Sequence, residues 1–167
     1  LPYQLDVADG EQVKAVVEQV VKEMGPPLAV VANAGLYERA SSSVLTADPT
    51  LWQRSLEVNL TGAWNVLSAC RHHLTKACKE SEKEHATAVV LSSSKAHVGN
   101  PQGAQYAAAK AGCEGLVRSL ALEWAPQIRV NGVVPGFIDT DLIASDTPEK
   151  REARKQQVPL GRVGGPE

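Results

Sequence analysis

The stretch Thr87-Ala-Val-Val-Leu-Ser-Ser-Ser94 decides the fold. Its apolar run, Thr87 to Leu91, has strand length and no alternating polar face. Such runs fit strands covered on both faces, as in a parallel sheet. The same pattern recurs upstream in Leu28-Ala-Val-Val-Ala32, which ends at Asn33-Ala34-Gly35; Ile128 to Val134, closed by Pro135-Gly136, is a third strand candidate. Leu1 to Val7 reads as a further short strand or the end of one.

Helical patterns separate these runs. Asp9 stands at an N-cap position with Gln12 three residues on, a weaker form of the capping box. Val13, Val16, Val17, Val20, Val21 and Met24 then form one apolar stripe, stopped by Gly25 and Pro26-Pro27. Asp48-Pro49 is an N-cap and first-turn pair. It opens a helix to about Lys79, with Leu56, Leu60, Ala63, Leu67, Cys70 and Leu74 on one stripe. The stretch before it, to Ala47, is polar and loop-like. Lys79 to Glu84 is a charge run that reads as a helix end and loop. Tyr106 to Trp124 is helical, with Cys113, Leu116, Val117, Leu120, Ala121 and Trp124 inward, and Pro126 ends it. Asp146 to Gln157 is polar and helical in part.

Strand and helix in alternation, with strands mostly apolar, give an α/β fold with a parallel sheet. Ligands of such sheets bind beyond the C-terminal ends of the strands. Asn33, Ser93 and Pro135-Gly136 all fall there.

Composition narrows the function. The 167 residues carry 17 Lys+Arg against 19 Asp+Glu, a net charge of −2, so nucleic acid has no electrostatic claim as a partner. Apolar residues at 43% and charged residues at 22% belong to a globular chain. Three cysteines, Cys70, Cys78 and Cys113, are odd in number and lack CxxC spacing. That argues against a disulfide framework and a zinc site, and suits a reducing, cytoplasmic setting. No apolar run reaches the ~20 residues of a membrane span.

Tyr106 and Lys110, at i and i+4, share a helical face. A phenol titrates near ~10, and a neighbouring ammonium pulls it toward the working range of an acid or base. The pair alone is a common pattern. Ser93, thirteen residues before Tyr106, could hydrogen-bond the same substrate oxygen or simply terminate its strand. Asn59 interrupts an apolar stripe. Its burial costs ~1–3 kcal/mol if unpaired, so it needs a partner, either backbone or a functional group.

Taken together, the motifs resemble the classical short-chain dehydrogenase/reductase family, in its 3-oxoacyl-acyl-carrier-protein reductase and secondary-alcohol dehydrogenase branch. They are Ala32-Asn33-Ala34-Gly35, Val58-Asn59-Leu60-Thr61-Gly62, Leu91-Ser92-Ser93, Tyr106-Ala-Ala-Ala-Lys110-Ala-Gly112, and Arg129-Val-Asn-Gly-Val-Val-Pro135-Gly136 followed by Ile138-Asp139-Thr140. Gly161 to Glu167 matches the stretch before the family's last helix, and reads as a turn. The resemblance implies a Rossmann-like, doubly wound parallel sheet with helices on both faces. It also implies hydride transfer between NAD or NADP and a small carbonyl or alcohol substrate, in a homo-oligomer, dimer or tetramer.

By the same resemblance, Tyr106 passes the proton and Lys110 lowers its pKa and bonds the nicotinamide ribose. Ser93 holds the substrate oxygen. Asn59 holds a water connecting Lys110 to solvent. Asp6 and Val7 meet the adenine, and Asn33, Ala34 and Gly35 line the cofactor cleft. Pro135, Gly136, Ile138 and Thr140 contact the nicotinamide end. Metal has no part.

The sequence departs from the family in three places. Ala32 replaces the usual first Asn of its motif. The link from Cys78 to Thr87 is longer and more charged. The glycine-rich phosphate loop is not among these residues. The family's sheet would set the strand ending at Val7 three steps from Leu28–Ala32, a gap of about 14 Å at ~4.8 Å per step. The expectation is therefore one partial domain, residues 1–167, without the first two strands and the last. A catalytically inactive paralogue serving as an interaction module is the alternative reading.

Overall fold

The computed structural model describes residues 1–38, 48–81, 83–143 and 146–166. Its sheet is built from three strands, β1 Ala29–Ala32, β2 Ala86–Leu91 and β3 Ile128–Val133, in the order β1-β2-β3. Both pairings are parallel, with Ala29 opposite Thr87 and Ala86 opposite Ile128. Parallel neighbours need a crossover rather than a hairpin, and helices supply it here. The family's Rossmann-like architecture is thus present as a three-stranded portion.

The first two helices begin at the caps that the sequence marks. Helix α1, Gly10–Met24, is capped by the Asp9 side chain, which accepts from the N–H groups of Glu11 and Gln12. Gln12 does not complete the box on Asp9; its side-chain oxygen accepts from the N–H of Asp6 instead. Gly25, at φ +83°, ends the helix in a conformation that L side chains rarely adopt. Between β1 and β2 run α2, Pro49–Leu56, a π-helical turn, Glu57–Thr61, and α3, Gly62–Glu80. The Asp48 carboxylate caps α2 through Thr50 N at 2.8 Å. Sequence periodicity predicts one unbroken helix here; the π turn inside it is a finding of the structure. Between β2 and β3 lie α4, Lys95–Val98, and α5, Ala104–Glu123. A short 3-10 turn, Asp141–Ile143, precedes α6, Pro148–Gln156.

The core lies between the sheet and helices α3 and α5. Ala86, Ala88 and Val90 alternate along β2 and are fully buried, as are Leu67 and Leu74 of α3 and Cys113 of α5. Helix α1 packs against α3 and buries Val13 there. Cys70, Cys78 and Cys113 are free thiols and all buried. Burial pushes the Cys70 thiol up to about 11, so it packs as a small apolar group.

Two expectations change. Leu1–Val7 forms no strand: strand geometry needs a hydrogen-bonded neighbour, and this segment instead turns back on itself through Asp9 N to Asp6 O at 3.0 Å. The strands are also not covered on both faces. Among the described residues the helices cover one face, and Val31 and Val133 on the strands are 56% and 47% exposed. The polar stretch read as a loop to Ala47 lies outside the described residues from position 39 onward.

Leu67, at 0% exposure, makes a direct test of this core. Leu67→Ala is expected to cost about 3 kcal/mol, through lost transfer energy and the cavity it leaves. Chemical denaturation reads this as a lower midpoint at unchanged slope.

Candidate active site

The C-terminal ends of β1, β2 and β3 open onto one cavity of about 910 Å³. Its wall includes Asn33, Ala34 and Gly35 after β1, Ser93 after β2, and Pro135, Gly136, Ile138 and Thr140 after β3. Tyr106 and Lys110 of α5 reach the same space. Ten residues nominated from sequence therefore meet in one place. Asn59, Asp6 and Val7 do not line it.

Asp6 and Val7 are engaged elsewhere. The Asp6 carboxylate accepts from Ala8 N at 2.9 Å and pairs with Arg54 at 2.9 Å, and these contacts hold its pKa below the usual value. The carbonyl of Val7 accepts from Asn65 Nδ2 at 2.8 Å. A Cβ at Gly62 would lie 2.7 Å from Val7 Cγ2, so the glycine admits this segment against the long helix.

Asn59 is 1% exposed and sits in the π turn. Its Nδ2 donates to Leu36 O at 2.8 Å and to Ser55 O at 3.0 Å, and its Oδ1 accepts from Leu36 N at 3.2 Å. All three of these partners are backbone groups. The amide clamps the loop after β1 to the helix, and the Asn59 carbonyl accepts from Cys113 Sγ at 3.1 Å. A π turn shifts the backbone bonds to i→i+5, which frees such groups for other partners.

Tyr106 and Lys110 lie one turn apart on α5, 9% and 4% exposed, with the Lys110 Nζ 5.8 Å from the Tyr106 ring centroid. The ammonium donates to Leu91 O at 2.8 Å. Burial pushes the Lys110 pKa down. Burial pushes the Tyr106 phenol up, and a hydrogen bond with Ser93 works against that. In this arrangement burial outweighs the depression that the Tyr-Lys pairing suggests. Gly35 closes the group: a Cβ there would stand 3.1 Å from Asn59 Oδ1 and 3.6 Å from Lys110 Nζ.

Sequence reasoning passed over several supports. Tyr37 packs edge-on against Tyr106, with ring centroids 5.1 Å apart. Gln105, 1% exposed, donates to Glu38 O at 2.9 Å. Glu114, one turn after Lys110 on α5, accepts from Ser92 Oγ at 2.9 Å and from His97 Nε2 at 2.7 Å. That cluster ties α4, and with it Ser93, to the helix that carries Tyr106. The i+4 spacing of Lys110 and Glu114 was visible in the sequence, but nothing there placed His97 opposite. Among the described residues, no group of His, Cys, Asp and Glu could hold a metal ion, and no helix is long and apolar enough to cross a membrane.

Comparison with known proteins identifies the family and the fold. The family model described as enoyl-(acyl carrier protein) reductase matches residues 1–167. The chain belongs to this family, within the short-chain dehydrogenases/reductases. It is 36% identical over 167 residues to the 3-oxoacyl-[acyl-carrier-protein] reductase FabG of Thermotoga maritima, covering 99% of this chain and 65% of the relative. It is 35% identical over 164 residues to the NADP-dependent mannitol dehydrogenase of Hypocrea jecorina, covering 97% of this chain and 59% of the relative. Among solved structures, a short-chain type dehydrogenase/reductase from Mycobacterium marinum superposes with a TM-score of 0.88 at 30% identity, over 100% of this chain and 64% of that one. A gluconate 5-dehydrogenase from Burkholderia cenocepacia, in complex with NADP and tartrate, gives 0.86 at 27%, over 96% and 61%. The chain spans less than two thirds of the length of these relatives.

The Ser92–Glu114–His97 cluster yields a pH test. The Glu114 carboxyl lies below its usual 4.5, held down first by the His97 hydrogen bond. A depressed carboxylate contributes stability that is present above the unfolded value and lost as pH falls through the folded one. Glu114→Gln should therefore flatten the loss of stability below about pH 4.5. Urea midpoints measured from pH 6 to pH 3 check this; a variant that falls as steeply as wild type refutes it.

Proposed function

We propose that the protein is an NAD- or NADP-dependent oxidoreductase that moves a hydride between the nicotinamide and a carbonyl or secondary-alcohol carbon. The observation that carries this reading is the meeting of Ser93, Tyr106 and Lys110 beyond the ends of β1 and β2, in one cavity with the small-residue loop Asn33-Ala34-Gly35. The nicotinamide end of the cofactor fits these residues. Ala34 and Gly35 are exposed on one wall, and a Cβ at Gly136 on another would meet nothing within 4 Å. Bare backbone of that kind admits a flat ring. Asn33, Ala34, Gly35, Pro135, Gly136, Ile138 and Thr140 would hold it. Asp6 and Val7 remain the adenine contacts that the family resemblance implies.

When bound, the nicotinamide supplies or accepts the hydride. The protein manages the proton. In reduction the Tyr106 phenol donates to the substrate oxygen; in oxidation it takes the proton back. The raised phenol pKa keeps that proton in place at neutral pH, as a donor requires. Ser93, hydrogen-bonded to Tyr106, holds the same oxygen and polarises it. Lys110 sets a buried ammonium beside the phenolate as it forms and reaches the nicotinamide ribose. Asn59 is a positioning residue. It fixes the loop carrying Asn33 to Leu36, and the second lone pair of its Oδ1 faces the space that Gly35 leaves beside Lys110. A water there would connect Lys110 to solvent.

Residues 1–167 form part of a single dinucleotide-binding domain in a cytoplasmic homo-oligomer. The exposed Trp64 of α3 and Leu122 of α5, 52% and 84% accessible, support the second part of that reading.

Tyr106→Phe is the decisive variant. It removes the transferable proton and keeps the ring against Tyr37. Turnover of ketones with NADH or NADPH should fall at least a thousandfold, while cofactor affinity, read by fluorescence titration, stays within a few-fold. Activity within tenfold of wild type would end the proton-transfer assignment.

A further inference from the structure

The charged side chains that line the cavity are all cationic. They are Lys95 from α4, Lys110 from α5, and Lys150 and Arg154 from α6; among the described residues no carboxylate lines it. Lys110 belongs to the proton chemistry already described. The other three have no part in it. Lys150 and Arg154 stand at i and i+4, so one face of α6 turns both toward the cavity. From the opposite side comes Lys95, whose backbone N–H donates to Ser93 Oγ at 3.2 Å. This sets the Lys95 backbone beside the hydroxyl that holds the substrate oxygen.

Phe137 fixes two of these cations in place. The Lys95 ammonium lies 5.1 Å from its ring centroid and the Arg154 guanidinium 4.6 Å. Both distances are in the range of cation–π attraction. Arg154 is further oriented by its ion pair with Asp146, in which both side chains are largely buried. Lys95 and Lys150 make no ion pair with any described residue, whereas Lys14, Lys76 and Lys155 on the outer surface each pair with a helix neighbour. Like charges converging on a partly enclosed, low-dielectric space repel one another, and an anion entering that space relieves the repulsion.

We propose that the substrate carries an anionic oxygen group, a carboxylate or a phosphate, which Lys95 and Lys150 bind while Phe137 orients Lys95 and Arg154. The substrates are then keto acids, hydroxy acids or their phosphorylated counterparts, in preference to neutral ketones and alcohols. This rests on the hydride-transfer reading for the reaction itself. The cation cluster is independent of it and can be tested separately. Two matched pairs probe the charge: acetoacetate against methyl acetoacetate, and dihydroxyacetone phosphate against dihydroxyacetone, each at saturating cofactor. The anionic member of at least one pair should show a kcat/KM at least tenfold higher. Lys95→Gln and Lys150→Gln should each cut that ratio at least fivefold, and raised salt should lower it in the wild type. A merely structural role for Lys95 would lower both members equally and leave the ratio where it was.

Calorimetric titration with malonate reads the site without turnover. The wild type should bind, and Lys95→Gln should weaken binding at least fivefold while the variant keeps its wild-type circular dichroism. If malonate binds in this way but no ketone reacts with either cofactor, the hydride-transfer reading fails and the anion site stands. A wild type that favours the neutral members, fails to bind malonate, or loses NADPH affinity rather than anion preference on Lys95→Gln overturns the proposal. The last result would assign the cations to the cofactor's phosphates.

Discussion

The amide of Asn59 is the contact on which the arrangement of the site depends. A buried primary amide has two donors and a strong acceptor to satisfy, and leaving one unpaired costs on the order of 1–3 kcal/mol. All three atoms find backbone partners here, at Ser55 within the helix and at Leu36 beyond β1. Satisfying them locks the loop that carries Asn33, Ala34 and Gly35 against the long helix. The π turn around Asn59 directs its own carbonyl to Cys113 of α5, and so the helix with Tyr106 and Lys110 is tied to the same point. One side chain and its carbonyl thus hold two of the walls of the cavity, the loop after β1 and helix α5, to the helix behind them.

A second consequence concerns charge. The site keeps a lysine at 4% exposure with its ammonium donating to the Leu91 carbonyl. Burial depresses the Lys110 pKa and raises that of Tyr106, each shift favouring the neutral form of its group. Groups shifted in this manner are characteristic of sites that move protons. The structure holds them with ordinary means: the core beneath α5, the edge-on Tyr37 ring, and the Ser92–Glu114–His97 cluster that carries Ser93 toward the phenol. Lys95 of α4 and Lys150 and Arg154 of α6 make another wall of the same cavity cationic.

Most of the architecture was legible before any coordinates. The strand-length runs located β1, β2 and β3 to within a residue or two, because turn-forming residues (Asn33-Ala-Gly35, the serines after Leu91, Pro135-Gly136) close each one. The caps at Asp9 and Asp48 and the stop at Gly25 marked helix ends, since these residues act on backbone groups a few positions away. Where the reading went astray, the cause was non-local. Leu1–Val7 has the composition of a strand and no neighbour to pair with. The π turn is invisible to a 3.6-residue periodicity. The open face of the sheet depends on which elements pack there, and apolarity along a strand does not report this.

The sequence by itself determined the order of the elements, their type, and the set of polar residues at the strand ends, because hydrophobic period, capping and turn chemistry act over a few residues. Only the tertiary structure decided which of those residues share a space. It separated Asp6 and Val7 from the cavity, gave Asn59 to the backbone, and brought Lys95, Phe137, Lys150 and Arg154 together from three segments up to 59 positions apart in the chain. Contacts of that span are set by packing and electrostatics across the fold, and no local pattern in the chain encodes them.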